Sequence, residues 1–159
     1  MTKIALLLPA SLVLLLFLGC SGNNDTPTEP GRGALTLIVN PNPIVATRVA
    51  GTSGTYDFPF EIVLTETGGR TVTLTALHVD VKTLGITVLS KTYDANYLRD
   101  HNYSPVIPAG TTARYSFNLR EDAPDSIFSS NVEADLQAEG VDDKGNAVRQ
   151  TKTVSVTRR

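Results

Sequence analysis

The sequence predicts an all-β fold, a single β-sandwich of seven or eight short strands over residues 33–159. Three observations carry this expectation. Apolar and polar residues alternate with period two through most of that range. Clusters of Gly, Pro, Asn and Asp cut the alternation into short pieces. No segment sustains the longer period of an amphipathic helix.

Taken in order, Leu35, Leu37 and Val39 share one parity, and the run Pro41 to Ile44 stops that strand because proline cannot donate to a ladder. Tyr56, Phe58, Phe60, Ile62 and Leu64 form the clearest half-buried strand, with Asp57, Glu61 and Thr65 on its other face. Gly68 and Gly69 permit positive φ and predict a hairpin loop, with the return strand starting at Thr71. Val72 and Leu74 then occupy one parity and Leu77, Val79 and Val81 the other, so a β-bulge is expected near Thr75 or Ala76. Ile86 to Leu89 follows Gly85 as a further strand. Lys91 to Pro108 breaks the pattern and reads as a loop or short helical excursion. Ala113, Tyr115, Phe117 and Leu119 resume it. Glu121 to Ser130 is a polar connection with room for one helical turn. Val132, Ala134, Leu136 and Ala138 form the next strand, Asp142 to Asn146 a turn, and Val148, Val154 and Val156 mark the last strand.

The amino end has a different character. Lys3 precedes Ile4 to Leu18, a charge-free run shorter than the about 20 apolar residues that a spanning helix needs. A charged and then apolar layout of this length is that of a secretory signal. The chain's single cysteine follows directly, in Leu16, Phe17, Leu18, Gly19 and Cys20. This run resembles a bacterial lipobox, although Phe17 stands where leucine is usual. The resemblance implies cleavage before Cys20, a diacylglyceryl group on its thiol and acylation of the new amine. Residues 1–19 are then a signal peptide and residues 20–32, rich in Gly, Asn and Pro, a lipidated cysteine and linker. A single acyl chain binds a bilayer marginally, whereas two or three hold firmly. The expected location is the cell envelope, lipid-anchored to a bacterial membrane, the outer one in a Gram-negative cell.

The length from Gly33 to Arg159 suits one domain and not two. The strand order from Leu35 to Val156 resembles immunoglobulin-like and fibronectin-like domains of bacterial surface proteins. It departs from them in having no Trp and no paired cysteines. The formal net charge is −2, and loss of Lys3 with a signal makes it one unit more negative. With no basic cluster larger than Arg158 and Arg159, nucleic acid is not an expected partner.

Chemistry-bearing patterns are sparse. The two histidines, His78 and His101, are far apart, and the only cysteine is assigned to the anchor, so no metal or cofactor is expected. The run Asp142 to Asn146 lacks the distant Glu of a calcium loop and reads as a turn around Gly145. No serine sits in a G-x-S-x-G elbow, and His101 beside Asp100 is the weak remnant of a hydrolase reading. Three of the five tyrosines, Tyr93, Tyr97 and Tyr103, fall with His101 in the long pattern-breaking segment. Tyrosine combines a rigid apolar body with a polar tip, which suits recognition and equally suits pinning a loop to a sandwich. These four residues form the candidate binding loop. The expected role is a non-catalytic binding or structural module, with another envelope protein or a polysaccharide as partner. The alternatives are a protease inhibitor of immunoglobulin-like fold and, further off, a hydrolase.

Overall fold

A computed structural model describes residues 31–159. The signal, Cys20 and residues 21–30 of the linker lie outside the described residues. Nine strands are present among those described: β1 (Leu35–Asn40), β2 (Ile44–Arg48), β3 (Thr55–Glu66), β4 (Val72–Thr83), β5 (Ile86–Asp94), β6 (Val106–Ile107), β7 (Thr112–Asp122), β8 (Val132–Asp142) and β9 (Ala147–Arg158). A helix, α1 (Ala95–Asp100), separates β5 from β6, and a single 3-10 turn, Asp125–Ser129, precedes β8. The fold is all-β, and the strands in excess of seven are β2 and the two-residue β6.

The strands follow one hydrogen-bonded path, β1-β3-β2-β9-β8-β4-β5, with β7 added to β3 and β6 to β4. The path turns back on itself at β2. This strand pairs antiparallel with β3 through Thr47 and Arg48, and parallel with β9 through Ile44, Val45 and Ala46. One layer therefore holds β1, β3 and β7, the other β9, β8, β4, β5 and β6. At the far seam β5 meets β7, where Lys91 and Glu121 pair at 2.5 Å.

Period-two patterning put the right side chains inside. Tyr56, Phe58, Phe60, Ile62 and Leu64 are all buried, as are Leu35, Leu37 and Val39. Burying a side chain of this size contributes about 1.5–3 kcal/mol, and the cluster extends without a break into Leu74, Leu77, Val79, Val132 and Leu136. The expected bulge is present. The β4–β8 register jumps between Leu74 and Ala76, so Val72 and Leu74 turn inward together with Leu77, Val79 and Val81. Opposite Leu74 stands Gly140, where a Cβ would lie 2.6 Å from the Thr73 carbonyl oxygen, so only glycine admits that close approach.

One expectation is corrected. The turn at Gly68 and Gly69 does not close a hairpin: β3 and β4 belong to different layers and do not pair. The turn instead crosses between layers against the incoming chain, and a Cβ on Gly68 would lie 2.0 Å from the Arg32 carbonyl oxygen.

Candidate functional site

The segment Lys91 to Pro108, expected as a loop or short helical excursion, holds the short helix α1, but its two ends belong to strands. Tyr93 lies on strand β5, Tyr97 on α1, His101 caps the end of that helix, and Tyr103 precedes β6. The helix starts at Asp94, whose carboxylate accepts the Tyr97 N–H at 2.7 Å, a side-chain N-cap. It ends at Asn102, whose φ of 61° is a left-handed conformation that asparagine tolerates. Leu98 is fully buried and fixes the helix to the sandwich. The whole segment is a strap that continues the edge position of β5 into β6 beside β4.

The structure brings three of the four candidate residues together. Phe60 and Phe117 are 5.4 Å apart between ring centroids, and Tyr93 stacks on Phe117 at 4.3 Å. Tyr97 tilts against Tyr93 at 4.9 Å, and His101 stacks on Tyr97 at 3.9 Å. An aromatic column thus runs from the core to the surface. Tyr93 is buried, Tyr97 half-buried, and His101 exposed. Burial pushes the Tyr93 phenol up to about 12, with the Tyr97 and Glu121 charges adding to the shift, so it stays neutral over the physiological range. His101 directs Nδ1 to the Tyr97 carbonyl oxygen at 2.9 Å. Tyr103 meets the column from the side, tilted against Phe117 at 6.3 Å and against Tyr115 at 5.6 Å. Its hydroxyl donates to the Ser116 carbonyl at 2.8 Å and accepts the Ser116 N–H at 3.1 Å, covering the open edge of β7. Packing and edge protection therefore account for most of the surface of these tyrosines.

Sequence reasoning missed a second region, a polar groove on the outer face of β4, β5, β8 and β9. His78 reaches Thr92 through Nδ1 at 2.9 Å and Glu139 through Nε2 at 3.5 Å. Glu139 also pairs with Arg149 and accepts the Gln137 amide at 2.7 Å. The Arg149 guanidinium holds the Glu139 carboxyl below its ordinary range. Beside them Lys82 and Asp135 pair at 2.6 Å, and Thr153 donates to Asp135. Outward parity marks each residue as solvent-facing, but only the register of four strands makes them neighbours. The groove offers paired charges and amide groups without an aromatic platform. Among the described residues, no three His, Cys, Asp or Glu side chains converge as a metal site.

No protein-family model and no curated protein matches the sequence. Among solved structures, the chain is similar to the structural-genomics target SoR45, at 15% identity and a TM-score of 0.52, covering 79% of this chain and 85% of that one. It is also similar to the ApaA protein from Bordetella pertussis, at 13% identity and a TM-score of 0.51, covering 80% of this chain and 98% of that one. Likeness at these identities establishes the fold alone.

Proposed function

We propose that this chain is a bacterial envelope lipoprotein, held by lipid on Cys20, whose sandwich serves as a non-catalytic binding module. The observation that carries the reading is the lone cysteine directly after Gly19, at the end of an apolar run too short to span a bilayer. The folded part supports it from the other side. The chain comes in at one pole of the sandwich, where the Gly33 N–H bonds the Asp142 carboxylate at 3.1 Å and the Ala34 N–H bonds Glu66 at 3.3 Å. That pole is the one to which residues 20–32 lead. Partners are another envelope protein or a polysaccharide. The hydrolase alternative has little to build on, since His101 is engaged with Tyr97 by both stacking and a hydrogen bond.

The test is fractionation of cells making the full chain or its Cys20→Ala variant. The wild type sediments with membranes. The variant leaves the membrane fraction once its signal is removed, and gel mobility separates any uncleaved precursor. A variant of mature size that sediments like wild type overturns the lipid reading.

A further inference from the structure

Strand register lays the side chains of the outer polar groove in rows across four strands. One row reads Ser90, Asp80, Asp135 and Thr153, on β5, β4, β8 and β9. Two carboxylates thus stand directly opposite each other, an arrangement that destabilises a sheet. Only one of them is compensated. Lys82 pairs with Asp135 at 2.6 Å, and Thr153 donates to the same carboxylate. Asp80, half-buried, has neither a hydrogen bond nor an ion pair among the described residues. The other cations of the groove do not serve it. Arg149 is held by Glu139. Lys152 alternates with Thr151 and Thr153, so it leaves β9 on the opposite face. The groove face therefore sets Asp80, Glu133, Asp135 and Glu139 against Lys82 and Arg149, an excess of negative charge. The cavity around them measures about 590 Å³, within the range of small-ligand sites.

The surroundings choose the ligand. The next row, about 7 Å along the strands, reads Thr92, His78, Gln137 and Thr151. Hydroxyl, amide and carboxylate groups at such spacings exchange hydrogen bonds with the hydroxyls of a sugar. The one apolar residue of the lining, Leu136, is fully buried, so the aromatic and aliphatic anchors of a protein interface are missing. A neutral glycan would leave Asp80 unpaired. An ammonium seated between Asp80 and Ser90 would supply the missing charge and make charge-assisted hydrogen bonds. We infer that the groove binds a glycan whose amino sugars carry free, unacetylated amines, with the ammonium on Asp80. The inference rests on the binding-module reading and names the polysaccharide chemistry that the module takes. It does not depend on lipid at Cys20.

The experiment is calorimetric titration of the full chain, kept in a non-ionic detergent, with a tetramer of glucosamine and with its fully N-acetylated counterpart. The glucosamine tetramer is expected to bind in the micromolar to low millimolar range, and the acetylated one at least about tenfold more weakly. Asp80→Asn removes the repulsion across the row, so its thermal midpoint equals or exceeds that of wild type, while its affinity for the glucosamine tetramer falls at least about tenfold. Asp100→Asn deletes the same charge from an exposed position on α1 and binds as wild type does. Equal affinity for the two tetramers, binding of neither, or an Asp80→Asn variant that binds like wild type would each overturn the inference. So would spermine binding as tightly as the glucosamine tetramer, which would reduce the groove to general attraction of cations. A lower midpoint in Asp80→Asn would make Asp80 a structural residue and remove the argument. Fractionation of the Cys20→Ala variant scores the anchor separately: a chain that binds the tetramer without sedimenting keeps the groove and loses the lipid, and one that sediments without binding does the reverse.

Discussion

Glu66→Ala is expected to lower stability by about 3–5 kcal/mol, a large effect for one carboxylate. Glu66 is 1% exposed at the pole where the chain enters. Its oxygens accept N–H groups from Ala34 at 3.3 Å, Gly68 at 2.7 Å, Gly69 at 3.0 Å and Gly110 at 2.9 Å. One side chain thus binds the start of β1, the β3–β4 crossing and the turn before β7. Removing it orphans several backbone donors, and each buried orphan costs about 1–3 kcal/mol before water recovers part of the loss. Burial by itself raises the Glu66 carboxyl, but the N–H bonds from Gly110, Ala34 and Gly68 outweigh it and hold the group below its ordinary 4.5. Asp142 is held down in the same way by the Asn146 amide and by the N–H groups of Gly33, Asn146 and Lys144. A carboxyl depressed in the folded state contributes stability above its unfolded pKa, and that stability is lost as pH falls. The wild type should therefore weaken steadily below about pH 4. Urea midpoints measured from pH 7 to pH 3 check this: Glu66→Ala starts lower and falls less steeply. A variant that matches wild type at pH 7, or keeps its full acid slope, would contradict the clamp.

Phe60→Ala is expected to cost about 3–5 kcal/mol, a large part of the about 5–15 kcal/mol that stabilises a typical domain. Phe60 is buried on the inner face of β3 and forms the base of the column that continues through Phe117, Tyr93 and Tyr97 to His101. A void under Phe117 loosens both the core and the footing of the strap. At the solvent end, His101→Ala should stay within about 0.5 kcal/mol, as exposed substitutions do. Denaturant midpoints of the two variants measure the gradient along the column. Equal effects, or an unchanged midpoint for Phe60→Ala, would mean that the faces of β3 or the stacking order are misassigned.

What the sequence made legible follows from what a period carries. Alternation identifies the inward face of a strand, so the β3 and β8 faces could be read, and so could the β4 bulge, where the parity of Leu74 and Leu77 conflicts. It does not name a strand's partner. The Gly68–Gly69 turn was therefore assigned to a hairpin, although its strands lie in opposite layers. Tyr93 was assigned to a loop because Lys91 breaks the inward alternation of β5. In the fold, that lysine sits at the open seam and reaches Glu121. Glu66 gave no signal and Asp142 was read only as the start of a turn, since carboxylates read as surface residues until the backbone donors that surround them are assembled. The groove around His78 and Glu139 was hidden for a related reason: its members come from separate strands.

The most direct measurement on the central claim is the mass of the amino-terminal peptide of the chain purified from membranes. The account predicts a peptide that begins at Cys20 and carries a thioether-linked diacylglycerol, with an acyl group on the new amine. A peptide that retains residues 1–19, one that begins beyond Cys20, or an unmodified Cys20 would contradict it.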